Sequence, residues 1–287
     1  MKKILFTLLV TVALLLGIST KISAQPTPIA PAGSGTEADP WQIATLANLY
    51  WIAATDAVVP SPTLATRCHY KYYIQTADID ASSTATWFPN GSGGYYGWDP
   101  IGWIVNDFYY QAFKSRYNGQ GFKINGLYIN RPGEEAIGLF GYIKVSQISN
   151  IGLTNVNITG GSLSVGGLVG NCDGLVVRNS YVTGSVTGTG QGVGGLVGQA
   201  SMGEAQNVFS TANVTGNDLV GGLYGYYGGE WVKIFENSYS TGIVTGLGRV
   251  GGILGEVIGD WEKIYFAGSS NGGAMVGIGE MGGWHFP

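Results

Sequence analysis

The sequence predicts a right-handed parallel β-helix (a β-solenoid) with a short N-terminal helical cap, and three observations carry that prediction. A glycine-closed motif recurs at 137–141 (IGLFG), 165–170 (VGGLVG), 193–198 (VGGLVG), 220–225 (VGGLYG) and 250–255 (VGGILG). Its closing glycines, Gly141, Gly170, Gly198, Gly225 and Gly255, set a period of 27 to 30 residues, the signature of a stacked array. Each of the first four copies then carries Asn150, Asn179, Asn207 or Asn237, and four residues later Thr154, Thr183, Thr211 or Thr241. An Ile/Val-Thr-Gly triplet closes each unit at 158–160, 186–188, 214–216 and 244–246. Finally, charged residues make up only 11% of the chain and glycine supplies 49 of 287 positions, against about 25% and about 7% in ordinary globular proteins.

The elements follow in chain order. Lys2 and Lys3 precede an apolar run over 4–18, and Ala24 is a small residue at a cleavage point. Residues 1–24 therefore read as a secretory signal peptide, which places the protein outside the cell or on its surface, with no membrane span once the signal is removed. Residues 25–35 are rich in Pro, Gly and Ser and read as a disordered linker. Residues 36–136 form an N-terminal cap and irregular early coils. They hold a strand near 39–43, a helix from Leu46 to about Ala54 capped by Thr45, and strands at 70–79 and 122–129. An aromatic-rich stretch with Trp87, Trp98 and Trp103 lies between.

Residues 137–287 are the repeats. Apolar runs of four to six residues dominated by β-branched side chains fit strands rather than helices, and the glycines are read as supplying positive φ at tight corners. Three strands and three corners fill one coil, and successive coils pair in parallel about 4.8 Å apart. In the triplet the Val or Ile points inward and the Thr outward. Length varies between closing Gly and Asn, so one corner of the stack bears the insertions. In the last copy Ala267 falls where Asn237 stood, and the tail from Gly272 lacks the triplet, as a C-terminal cap or a truncation would.

The repeats at 165–188 and 193–216 resemble the GLUG motif of bacterial surface proteins. The segments 35–43, 72–82, 99–102 and 113–132 look like the leader that often precedes such repeats. The resemblance spans nearly all of the chain after residue 24, and implies a β-helical surface or secreted protein in an adhesion setting without implying an activity. Two positions depart from the family pattern: Phe122, where His is frequent, and Ser115, where Gly is usual, which makes that turn atypical.

Catalytic chemistry is not legible. His69 and His285 lie far apart in sequence and form no metalloprotease helix motif, and although Ser is plentiful a base to activate it is not. Asp78 and Asp80 alternate on one strand, where they could bind a hard cation, but they read as solvated strand-end residues. Asp173 and Asp218 read as turn residues. Cys68 and Cys172 are separated by several repeats, so pairing is not expected. The Asn row reads as a structural ladder whose amides bond freed backbone groups. The Thr rows are interrupted by a Gly corner between Thr183 and Thr187, unlike a flat ice-binding array.

The remaining candidate is a pair of loops. Residues 229–234 (GEWVKI) match 259–264 (GDWEKI) at a spacing of 30, which places Trp231 over Trp261 and Lys233 over Lys263, with Tyr226 and Tyr227 just ahead. Stacked aromatics beside charged and amide groups suit a sugar ring; the favoured reading is the plainer one, that both Trp side chains fold over and seal the corner of the core. The chain reads as a non-enzymatic, adhesin-like interaction protein contacting glycan or a host or matrix surface. It needs no cofactor or metal, and a net charge of −4 gives no reason to expect nucleic acid. A β-helical polysaccharide-active enzyme and a purely structural spacer are the alternatives.

Overall fold

A computed structural model describes residues 27–103, 111–228, 233–258, 264–267, 270–271 and 275–277, with backbone alone at 233–234 and from 264 onward. It is a parallel β-solenoid. Each repeat makes one coil of three faces, seen in Leu163–Gly166 (face 1), Val169–Arg178 (face 2) and Tyr181–Gly188 (face 3). Stacked coils build a four-stranded sheet on face 1 and eleven-stranded sheets on faces 2 and 3. The pairing is parallel throughout the stack, for example Val165 with Val193, Val220 and Val250 in turn.

The triplets obey the period of two. Ile158, Val186, Val214 and Val244 are fully buried and pair coil on coil, while Thr159, Thr187, Thr215 and Thr245 face outward. Each buried Val or Ile contributes roughly 1.5–3 kcal/mol, but only because the next coil covers it.

The two kinds of corner have different causes. Between faces 2 and 3, Asn150, Asn179, Asn207 and Asn237 all adopt left-handed backbone, with φ of 55°, 49°, 52° and 48°, a conformation Asn tolerates better than most residues. Between faces 1 and 2, the anchors Gly141, Gly170, Gly198, Gly225 and Gly255 are not at positive φ, contrary to the expectation for tight corners. They are glycines because the chain folds against its own backbone: a Cβ on Gly198 would sit 2.5 Å from Val165 N and from the Gly170 carbonyl oxygen.

Face 2 bends within itself, at Val145 (φ 48°) and Gly174 (φ 81°). The insertions gather at this bend. Ala200 pairs with Tyr227, a separation of 27, but Glu204 pairs with Ile234, a separation of 30. One more residue enters in the next coil, since Tyr227 pairs with Val257 but Lys233 with Ile264. That slip corrects the alignment of the last copy. Ala267 pairs with Glu236 rather than replacing Asn237, and Met275, Val276 and Gly277 pair with the triplet Val244, Thr245 and Gly246. The tail keeps a degenerate triplet.

The N-terminal end is closed by helix α1 (Leu46–Ala53), whose Thr45 hydroxyl accepts the Asn48 N–H. All of its residues from Asn48 to Ala53 are buried, because Tyr50 packs on Trp87 and Trp98 while Trp51 packs on Trp41. Arg67, at the end of α2 (Leu64–Cys68), is fully buried over the Trp51 ring and donates to the carbonyls of Trp51 and Ala54, closing the C-terminus of α1. The stretch at 27–35 is ordered where described, not a loose linker: Ile29 N–H donates to Ala47, and Ala32 bridges Gln42. The predicted strand at 122–129 is split into Lys123–Asn125 and Tyr128–Asn130 by Gly126 at φ 74°. Ser115 lies in the strand Lys114–Asn118, not a turn, and its buried hydroxyl accepts from Lys71 N–H and donates to the Cys68 carbonyl. Cys68 and Cys172 are buried free thiols, with the coils of Phe113 and Ile143 between them, roughly 14 Å at 4.8 Å per coil and too far to bridge. Burial pushes the Cys68 thiol up to about 12.

Candidate binding surface

The loop residues proposed as a sugar platform are only partly placed. Trp231, Trp261 and Lys263 lie outside the described residues, and Lys233 is described by its backbone, paired with Ile264 rather than Lys263. Tyr226 is half-buried on the outer side of face 2, between Gln199 and Glu256 on the adjoining coils. Tyr227 is a core residue instead. It is 1% exposed, packs against Tyr224 and Phe235, and its hydroxyl donates to the Gly203 carbonyl at 2.6 Å.

An aromatic ladder does exist, on face 3. Tyr181, Phe209 and Tyr239 occupy one register on successive coils. Their rings stack with centroids 4.7 and 4.9 Å apart and planes within 3° and 1° of parallel. The ladder starts abruptly because Gly152 holds that register one coil earlier, and the Tyr181 ring lies over it. The sequence signal of these positions is that each aromatic follows a corner Asn by two residues.

A second ladder borders the first. Asn179 Nδ2 donates to Asn150 Oδ1 at 2.9 Å, Asn207 to Asn179 at 3.0 Å, and Asn237 to Asn207 at 3.2 Å. Asn150 in turn donates to Asn118, which extends the ladder beyond the four repeated anchors. The amides thus bond one another rather than turn backbone. Each side chain keeps one N–H and an acceptor lone pair available at the surface.

On the other side of the rings come the hydroxyls. Thr183 and Thr187 share the strand Tyr181–Gly188, so no corner separates them; Gly184, at φ 119°, marks an irregularity in register, not a change of face. Outward from Gly152 to Gly246, face 3 offers aromatic edges, threonines and small amides, and none of its residues is Asp, Glu, Lys or Arg. Such a surface bonds hydroxyl groups without demanding counter-charge.

The acids lie elsewhere and are engaged. Asp78 and Asp80 accept backbone N–H groups of Lys123 and Ser82, and the Ser82 bonds hold the Asp80 carboxyl below its usual range. Asp173 and Asp218 are strand residues, not turn residues. Asp173 pairs with Lys144 at 3.3 Å, and Asp218 with Arg249, whose hydrogen bonds bring its pKa to about 2. Asp99 is raised by burial against the opposing pull of Arg131. Among the described residues no three His, Cys, Asp or Glu side chains converge as metal ligands would. Nor, among them, is any helix long and apolar enough to cross a membrane.

No family model matches the chain. It is 34% identical over 155 residues to halomucin of Haloquadratum walsbyi, which covers 54% of this chain and 2% of that protein. It is 32% identical over 148 residues to an Evansella cellulosilytica protein described as a Gly-rich membrane protein, covering 50% of this chain and 14% of that one. The chain therefore spans only a small part of the length of either relative. Among solved structures, a Bacteroides ovatus protein described as a candidate immunoglobulin A1 protease superposes with a TM-score of 0.65 at 22% identity, over 86% of this chain and 70% of that one. A likeness at that identity establishes the fold.

Proposed function

We propose that this is an exported, non-enzymatic surface protein of the GLUG-repeat type, adhesin-like, that binds neutral glycan through face 3. The observation that carries the reading is the uncharged flank itself: an aromatic stack bordered by an amide ladder and threonine rows, all repeating at the coil spacing. An extended polysaccharide also repeats hydroxyls and apolar ring faces along its length, so a chain lying along the solenoid axis meets like groups at each coil. Similarity to one protein named as a mucin and another named as a membrane protein supports a surface setting.

The test is a binding screen of the purified protein against neutral polysaccharides and matrix proteins, repeated with Tyr181→Ala plus Tyr239→Ala and separately with Trp231→Ala plus Trp261→Ala. Retention on a neutral glycan, lost in the Tyr pair, is expected. Loss in the Trp pair alone would move the site to the segments around Trp231 and Trp261. Degradation of a polysaccharide, or cleavage of a matrix protein, would replace binding with catalysis.

A further inference from the structure

Ion pairs are distributed unevenly along the solenoid. Among the described side chains, Arg67, Arg131, Lys144, Arg178 and Arg249 each lie against a carboxylate. Among the described residues no carboxylate partner accompanies Lys71, Lys114 or Arg116, three cations on two adjoining strands of face 2 near its N-terminal end. Lys123, also without one, sits apart on face 3.

Aromatic rings are interleaved with these cations. Arg116 pairs with Tyr72 and stacks over its ring at 5.3 Å, and Lys71 lies over the Trp41 ring at 5.5 Å. Lys114 pairs with His69 on the neighbouring coil, about 4.8 Å away, and precedes Arg116 by two residues on the same side of the strand. Beside them Tyr70 is 79% exposed at φ 56°. A bulky side chain held in left-handed backbone is a strained arrangement that the surroundings must impose. Here the Ser115 hydroxyl imposes it, tying Lys71 N–H to the Cys68 carbonyl on either side of Tyr70. Glu37, which accepts the Tyr72 hydroxyl at 3.2 Å, stands at the rim.

We propose that Lys71, Lys114 and Arg116, with Tyr70 and Tyr72 between them, form a docking site for an anionic polysaccharide, separate from the neutral flank of face 3. The guanidinium and ammonium groups suit sulfate or carboxylate substituents. The rings suit the apolar faces of the sugars that carry them. Clustered cations with no carboxylate beside them concentrate positive potential even on a chain of net negative charge.

Dextran sulfate and uncharged dextran are the probes, presented to the purified protein. Dextran sulfate should be retained, more weakly as ionic strength rises, and dextran should not be retained by this site. Lys114→Gln plus Arg116→Gln should weaken dextran sulfate binding at least about tenfold with thermal unfolding unchanged, while Tyr181→Ala plus Tyr239→Ala leaves it intact. Tyr70→Gly relieves the backbone, so it should raise the unfolding temperature and still lower retention. Undiminished binding by the Gln pair would overturn the proposal. So would equal retention of duplex DNA, which marks a general polyanion surface, or a Tyr70→Gly protein that binds as well as its parent.

Discussion

Faces 2 and 3 are built from the same coils and the same repeat, yet their outer surfaces are chemically opposite. Face 2 carries the charges and largely neutralises them in place, Lys144 with Asp173 and Arg178 with Glu204. It also bends, and the longest insertion in the described coils, three residues between Tyr227 and Ile234, enters at that bend. Face 3 has no charge in its strands from Gly152 onward, and past the one extra residue of its first coil, where Val182 pairs with Leu153 but Gly184 with Val156, its side chains repeat in register. Insertions are tolerated where a strand is already interrupted. A straight face keeps equivalent side chains aligned, and alignment turns a repeat into an extended surface.

The sharpest way to break the contrast is to give face 3 a charge. Thr187→Asp should weaken neutral-glycan retention by about tenfold or more, whereas Gln199→Asp on face 2 should leave it unchanged in the same assay. Next comes the corner that sets the two faces apart. Asn179→Ala loses two ladder bonds and places a poor residue at φ 49°, which should cost about 2 kcal/mol in denaturant unfolding; Asn179→Gly should recover part of it. On face 2, Val145→Gly relieves an exposed β-branched residue at φ 48° and should stabilise by up to about 1 kcal/mol.

Smaller still are the ion pairs. Arg178→Ala removes a half-exposed pair and should change stability by less than about 1 kcal/mol. Asp218 adds a pH dependence of known sign. Its folded pKa, about 2, lies below the unfolded value, about 3.9, so its contribution is present above that value and fades as pH falls towards 2. Acid unfolding followed between about pH 4 and pH 2 should show a shallower loss in Arg249→Gln, whose Asp218 has lost its partner.

Much of the architecture is legible in the sequence because it is repeated. Gly170, Gly198 and Gly225 mark the corner between faces 1 and 2, Asn179 and Asn207 the next, and the triplets show which side is core. What those residues do there is less legible. The glycines read as φ-permissive, but the demand is for space, a property of the neighbouring coil. The Asn amides read as backbone partners, but bond one another, which depends on coil spacing. Tyr226 and Tyr227 look alike in sequence, yet only Tyr226 is outward, because the tightly packed Gly225 breaks the alternation that Tyr224 would otherwise set. The aromatic ladder is hard to see in the sequence because its residue changes from Tyr to Phe to Tyr and is missing at Gly152.

Hydroxyl-radical footprinting of the aromatic side chains addresses the central claim most directly, with and without the neutral oligosaccharide retained most tightly in the binding screen. Protection concentrated on Tyr181, Phe209 and Tyr239, with Tyr70, Tyr72 and Tyr226 unchanged, is the predicted result. Protection confined to the tyrosines of face 2, with the ladder of face 3 as reactive as in the free protein, would contradict it.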